Sequence, residues 1–307
     1  MIDEQMAVFI GSGLRLAVPI IFAATGEMLS ERAGVLNLSL DGMMLMSAFT
    51  AALASWATGS PLLGVAAGVL VATAVAAVQA VLSVTLRANQ LVVGIGFNIL
   101  ALGTTTFLYR EIFGPLSRDP IPGFAQLNLP WLAHIPVIGP ALANQTGLAY
   151  VSILMVVVTW LILKYTSFGL AVRAVGEDPR AADKAGIGVA RTRYLGVLYA
   201  GILAGLGGAF MSVADSNTFT ENMTKGAGYL AITAVIFGGW NPWYTLAACL
   251  LFGFATALQF LVPALQLDVP VALLLLLPYL LALVAIAGFV GKSRQPSALT
   301  IPFERGG

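Results

Sequence analysis

Apolar residues fill the chain in long blocks, separated by short clusters of Gly, Pro, Asn, Asp and basic residues. Most blocks approach the roughly 20 residues that an α-helix needs to cross the hydrocarbon core of a bilayer. The pattern predicts spans at 7–27, 37–57, 62–84, 90–110, 147–164, 194–214, 227–239, 244–262 and 269–290. The block at 227–239 is the odd one, because about 13 residues fall short of a full crossing unless tilted, and a re-entrant element suits it. The fold class expected is all-α: a polytopic transmembrane helical bundle of about nine spans, within a range of about eight to ten, as one domain over 1–307.

Composition supports this reading. Of the 307 residues, 59% are hydrophobic and 9% charged, against about 25% charged in soluble domains, so an ordinary soluble protein is excluded. The single Cys249 lies in the apolar run AACLLFGFA, which leaves no disulfide framework and reads as a structural thiol. The only histidine, His134, stands in a Pro-rich connection, and without a second His or Cys no metal site is expected. Residues 1–6 lack a basic signal-peptide start, so the first block is read as a retained span. Few Lys and Arg argue against nucleic-acid binding.

Basic residues near span ends stay on the cytoplasmic side. Placing the 165–193 connection inside collects Arg32, Arg87, Lys164, Arg173, Arg180, Lys184, Arg191, Arg193, Lys292, Arg294 and Arg305 there, and leaves Arg110, Arg118 and Lys225 outside with Arg15 in a span. The N-terminus is then outside and the C-terminus inside. The outer connection 111–146, with its prolines and Trp131, reads as an interfacial cap or a passive loop; the tail 291–307 is expected to be a short mobile end.

The inner connection is the most informative segment. Asp178 before Pro179 places an N-cap ahead of a first-turn proline, helix formers follow, and Gly186 ends the helix. Ala181, Ala182 and Ala185 are expected to share a small-residue face open to another protein's groove, with Arg173, Glu177, Arg180, Asp183 and Lys184 as charged edges. This is a docking element or a solvated hairpin.

The stretch RAVGEDPRAADKAGI resembles the coupling-helix region of ABC-importer permeases in the branched-chain amino acid and ribose permease family. GEMLSERAGVLNLSLDGMMLMSAF, NQLVVGIGFNILALG and GAGYLAITAVIFGGWNPW extend the likeness to nucleoside-type permeases over most of the chain. The resemblance implies a transport subunit of a bacterial cytoplasmic (inner) membrane importer, not an enzyme. It also implies a separate ABC ATPase carrying ATP and Mg, a second homologous permease in a heterodimer, and an extracytoplasmic substrate-binding lipoprotein. By the same likeness, Arg173, Gly176, Glu177, Asp178, Pro179, Ala181, Ala182 and Gly186 form the ATPase contact. The implied substrate is a nucleoside, with a ribose-like sugar and branched-chain amino acids as alternatives.

This chain carries no phosphate-binding loop G-x-x-x-x-G-K-[ST]: Gly291, Lys292 and Ser293 supply its ending, but Ile286 stands where the first glycine must be. Charges inside a bilayer are costly and thus functional candidates. Arg15 is read as an anchor that snorkels or pairs, and Glu27 as lying at a water-accessible inner end. Asn37 and Asp41, four apart, are expected to line or brace the pathway or to cap a helix end. Gln90, Asn98 and Thr104, with Thr105 and Thr106, mark a polar stripe in the fourth span, where amides and hydroxyls suit a neutral polyhydroxy or heterocyclic substrate and Phe97 and Phe107 suit a base. Helix packing is the competing reading for that stripe and for Gly205, Gly207 and Gly208. The polar connection ADSNTFTENMTKGAG receives a binding protein or is an ordinary loop. A secondary transporter coupled to ions through Asp41 or Glu27 is the alternative of a different class; no triad, paired carboxylate or His/Cys cluster suggests a membrane enzyme.

Overall fold

The computed structural model describes residues 2–114, 120–128, 138–264, 270–289 and 295–304. Arg118, Trp131, His134, Lys292, Arg294 and Arg305, and the Gly291–Ser293 triplet, lie outside the described residues.

Among the described residues the regular structure is helical apart from one short strand pair. Its elements are α1 (Ile2–Arg32), α2 (Leu40–Thr58), α3 (Pro61–Ala80), α4 (Gln90–Phe113), β1 (Gln126–Asn128), α5 (Ile138–Ala143), β2 (Asn144–Thr146), α6 (Gly147–Tyr165), α7 (Ser167–Glu177), α8 (Pro179–Lys184), α9 (Val189–Phe210), α10 (Ala227–Phe237), α11 (Pro242–Ala264) and α12 (Val271–Phe289). π-helical turns, Val81–Thr85 and Met211–Asp215, continue α3 and α9. Among the described residues, seven helices are long and apolar enough to cross a membrane: α1, α2, α3, α4, α6, α9 and α11. They coincide with seven of the nine predicted blocks. The other two blocks form shorter apolar helices, Ala227–Phe237 and Leu273–Val284 within α12.

Helix packing in a bilayer gains little from the hydrophobic effect, so close van der Waals contact must supply it, and small residues permit that approach. α9 sits at the centre and packs on α1, α2 and α3; α1 also packs on α11. A Cβ added at Gly208 of α9 would stand 2.0 Å from the Met44 carbonyl oxygen of α2, and one at Gly68 of α3 would stand 2.8 Å from the Ser47 carbonyl. Backbone lies against backbone at both points, which bears out the packing reading of Gly208. α9 is largely enclosed, whereas α4 turns Val92, Ile95, Ile99, Leu100 and Phe107 outward, a face suited to lipid or to another apolar surface.

The described parts of the 111–146 connection pack onto the bundle. β1 pairs antiparallel with β2, and the backbone N–H groups of Ile121 and Phe124 donate to the carbonyls of Asn217 and Val213 at 2.9 and 2.8 Å.

Three expectations need correction. α1 runs on to Arg32, and Glu27 is fully buried rather than open to water. Helix packing around the C-terminal end of α1 encloses it, and its Oε1 accepts the Asn37 N–H at 2.7 Å. Arg193 is 1% exposed, not a solvated inner charge. Residues 295–304 of the tail are not a loose end: Ala298 donates its N–H to the Gly176 carbonyl at 2.8 Å and Thr300 to that of Gly34 at 3.2 Å.

Candidate functional site

Two regions carry candidate chemistry: the 165–193 segment and a cavity at the opposite end of the helices. In the 165–193 segment Thr166 caps α7, its hydroxyl accepting the Gly169 N–H at 3.0 Å. Asp178 caps α8: one carboxylate oxygen accepts the N–H groups of Arg180 and Ala181 at 3.0 and 2.9 Å. Pro179 takes the first helical position, where no N–H is needed. After Ala185, Gly186 adopts φ +84°, the left-handed conformation that ends the helix at least steric cost.

The predicted contact residues divide into two sets. Arg173, Glu177, Asp178, Ala181 and Gly186 are exposed, as are Arg180, Lys184 and Ala185, with Pro179 half-buried. Gly176 and Ala182 are buried. Ala182 packs with Val175 and Val189 in a small core beneath the helix, and a Cβ on Gly176 would come within 2.0 Å of the Arg32 carbonyl oxygen. The three alanines therefore do not share one open face: Ala182 points into the chain, because α8 needs a small residue to lie on α7 and the start of α9. A bulky residue at Gly176 or Ala182 perturbs that packing before it perturbs any partner.

The cavity, of about 370 Å³, lies between α1, the end of α9, α10, α11 and α12. Asp215, Thr220, Thr224, Gln259, Phe260 and Tyr279 bring its carboxylate, hydroxyl, amide and aromatic groups. Its volume falls within the range of about 300–1,000 Å³ common for small-molecule sites. Arg15 reaches across from α1 to Asp215 at 3.3 Å, so its polar partner comes from within the bundle. The rim is tightly turned, with Asn217, Asn222 and Lys225 all at positive φ, and the Tyr279 hydroxyl donates to the Lys225 carbonyl at 2.6 Å. Beside the rim, Arg110 forks onto Glu221 at 2.6 and 2.9 Å, and the guanidinium holds the Glu221 carboxyl below the usual carboxylate range.

The polar residues predicted for the pathway converge on a different feature, the turn from α1 to α2 and the start of α10. Asn98 Oδ1 accepts the Gly42 N–H at 2.8 Å, while its Nδ2 donates to the Leu38 carbonyl at 2.8 Å and the Tyr229 hydroxyl at 2.6 Å. Gln90 Oε1 accepts the Leu36 N–H at 2.9 Å. Asn37 Oδ1 accepts the Ser39 hydroxyl at 2.6 Å; the residue precedes α2, so it and Asp41 do not share a helix face. Asp41 places its oxygens on the Gly228 N–H at 3.0 Å and the Thr224 hydroxyl at 3.1 Å, an anionic cap on the first turn of short α10. Thr104 is half-buried on α4, away from the residues that line the cavity. Asn37, Asp41, Gln90 and Asn98 brace this turn, and of them only Asp41, through Thr224, touches the cavity's lining. Sequence reading missed Asp215, Gln259 and Tyr279 as a group, although Gln259 is a visible polar break in an apolar block. Among the described residues no group of three His, Cys, Asp or Glu side chains is placed to hold a metal.

The family described as "Branched-chain amino acid transport system / permease component" matches residues 9–286. The chain belongs to this permease family. It is a multi-pass membrane protein and a transport subunit, not itself catalytic. It is 37% identical to the guanosine ABC transporter permease protein NupQ of Bacillus subtilis, over 99% of both chains. It is 33% identical to the nucleoside ABC transporter permease protein NupC of Lactococcus lactis, over 96% of both chains. A putative glucose ABC transporter permease protein of Haloferax volcanii, TsgC13, is 39% identical over 80% of this chain and 75% of its own. No solved structure matches.

Proposed function

We propose that the chain is the membrane-spanning permease subunit of an ATP-driven importer of nucleosides. The observation that carries this reading is likeness over essentially the whole length to two permeases named for guanosine and nucleoside transport. The cavity supports it: a nucleoside offers hydroxyls and an aromatic base, and the lining offers Asp215, Thr220, Thr224 and Gln259 beside Phe260 and Tyr279. Side-chain amides and hydroxyls orient such a ligand while aromatic rings cover its faces.

In this mechanism a loaded extracytoplasmic binding protein docks at the outer side, where the 111–146 connection and the 216–226 turn lie. A separate ATPase, holding ATP and Mg, sits against the inner 165–193 segment, touching Arg173, Glu177, Asp178, Pro179, Ala181 and Gly186. The N-terminus is outside and the C-terminus inside. A second, homologous permease completes the pathway as a heterodimer. ATP binding and hydrolysis move α8, and the spans alternate between outward and inward access. Gly176 and Ala182 act from beneath, by setting how α8 rests on the bundle.

A sugar importer is the second reading, favoured by the 39% identity to TsgC13. Uptake of labelled purine and pyrimidine nucleosides into vesicles that hold the assembled transporter separates the two. ATP-dependent nucleoside uptake that excess ribose or glucose leaves unchanged is expected. Blocking by either sugar moves the substrate to sugars, and uptake that follows a proton or sodium gradient without ATP overturns the importer reading.

A further inference from the structure

The tail segment 295–304 lies across the inner ends of five separate elements. Its Ala298 N–H donates to the carbonyl of Gly176 on α7 at 2.8 Å, and its Ser297 hydroxyl donates to Glu177 Oε2 at 3.1 Å. Thr300 donates its N–H to Gly34, just beyond α1, at 3.2 Å. The Ile301 carbonyl accepts from Arg193 Nη1 at 2.9 Å, which fastens the start of α9. Phe303 packs on the core of Val175, Ala182 and Val189 beneath α8. Glu304 pairs with Arg87, at the inner end of the α3 region, at 2.5 Å.

Two details separate this from a tail that happens to rest on a surface. Thr300 holds φ +66°, which is uncommon for any residue other than glycine and a clear outlier for a β-branched one. Such a conformation persists only where its surroundings impose it, and here bonds and contacts on both sides do so. Arg193, buried at 1% exposure, finds a side-chain acceptor only in the Ile301 carbonyl among the described residues, its Nε and Nη2 having none. The bundle therefore carries a buried guanidinium whose partner is the tail.

We propose that residues 295–304 are a strap that fixes the angle of α8 against α1, α3 and α9, and that ATP hydrolysis drives transport only with the strap in place. The inference rests on the reading of α8 as the ATPase contact. The strap joins α8, the element the ATPase moves, to the two most centrally packed spans, α1 and α9. Asp178 and Arg180 line one side of a groove of about 470 Å³ whose other side is Ile301 and Glu304. An ATPase seated on α8 thus meets the strap as well, and the segment acts as a positioning element within that surface.

The test uses the complete transporter in proteoliposomes and measures nucleoside uptake and ATP hydrolysis on the same sample. Removal of residues 297–307 is the direct perturbation, but it strands Arg193 and so risks misfolding; two milder variants keep the question answerable. Glu304→Arg is expected to lower uptake per ATP by about two- to fivefold, the scale of an exposed ion pair. The swap Arg87→Glu with Glu304→Arg restores it. Phe303→Ala, which empties a half-buried site, lowers uptake per ATP by about tenfold. Complex yield and ATP hydrolysis are measured for all three, so that uptake is compared per ATP hydrolysed by the assembled complex. A cysteine at exposed Ala181, cross-linked to the ATPase, reports separately on the contact. Cross-linking with parent-level uptake per ATP in Glu304→Arg and Phe303→Ala overturns the strap alone. No cross-link from Ala181→Cys in the otherwise unaltered transporter overturns the contact reading and the strap with it.

Discussion

Asp178→Ala is the sharpest probe of the 165–193 segment. The Asp178 carboxylate accepts two N–H groups, from Arg180 at 3.0 Å and Ala181 at 2.9 Å, and alanine leaves both to water. Losing an N-cap of this kind costs about 1 kcal/mol, within a range of about 0.5–2. With only six residues in α8, that energy falls almost wholly on the formed-versus-frayed equilibrium of one short helix, a shift of about fivefold. Pro179 keeps its fixed φ, so the helix is weakened, not abolished. Uptake per ATP hydrolysed is therefore expected to fall about fivefold in proteoliposomes, while thermal unfolding of the detergent-solubilised complex stays unchanged, because Asp178 is exposed and braces no span. Asn and Ser retain a side-chain acceptor and are expected to stay within about twofold of the parent. Parent-level coupling in Asp178→Ala refutes the argument. So does an Asp178→Asn variant as poor as the alanine, since charge rather than capping would then be at work.

Other outcomes follow from individual contacts. Gly208→Val forces a Cβ against the Met44 carbonyl, 2.0 Å away, and is expected to cost about 1–3 kcal/mol or more through helix separation, read as a lower unfolding temperature and a smaller yield of inserted protein. Asn98→Ala deprives Gly42, Leu38 and Tyr229 of their shared partner and is expected to cost about 1–3 kcal/mol; unfolding temperature falls while the substrate concentration for half-maximal uptake holds. Glu221 has its carboxyl lowered by Arg110. Its contribution is thus complete above the ordinary value of 4.5 and is lost only as pH falls below that, through the depressed value. Unfolding temperature should not differ in its pH dependence between the parent and Glu221→Gln at pH 6–8, and the two should converge in acid.

The spans were legible because membrane insertion imposes a one-dimensional signal: a run of apolar side chains long enough to satisfy its own backbone. The local cap at Asp178–Pro179 and the stop at Gly186 were legible for the same reason, since their partners lie within three residues. Asn98 and Gln90 stood out as polar positions in an apolar block, but what they face, the 34–42 turn, is set by long-range packing. Burial of Glu27 and Arg193 was invisible because each is enclosed by segments distant in sequence, α9 against the neighbouring Gly26 in one case and the tail in the other. The tail itself carries little hydrophobic signal and bonds chiefly through backbone groups, which leave no mark on residue identity. The cavity escaped notice because Asp215, Thr224, Gln259 and Tyr279 come from four segments, each of which taken singly reads as an ordinary span end or an isolated polar break.

The central claim, that a nucleoside passes the Asp215–Gln259–Tyr279 cavity, is tested most directly by thiol labelling of Gln259→Cys in the assembled transporter. The single native cysteine, Cys249, is fully buried, so the background is low. The account predicts that a membrane-impermeant reagent labels this position from outside, and that saturating nucleoside with the binding protein slows the labelling whereas glucose does not. Labelling that proceeds at the same rate with and without nucleoside, in a preparation that transports it, would contradict the account.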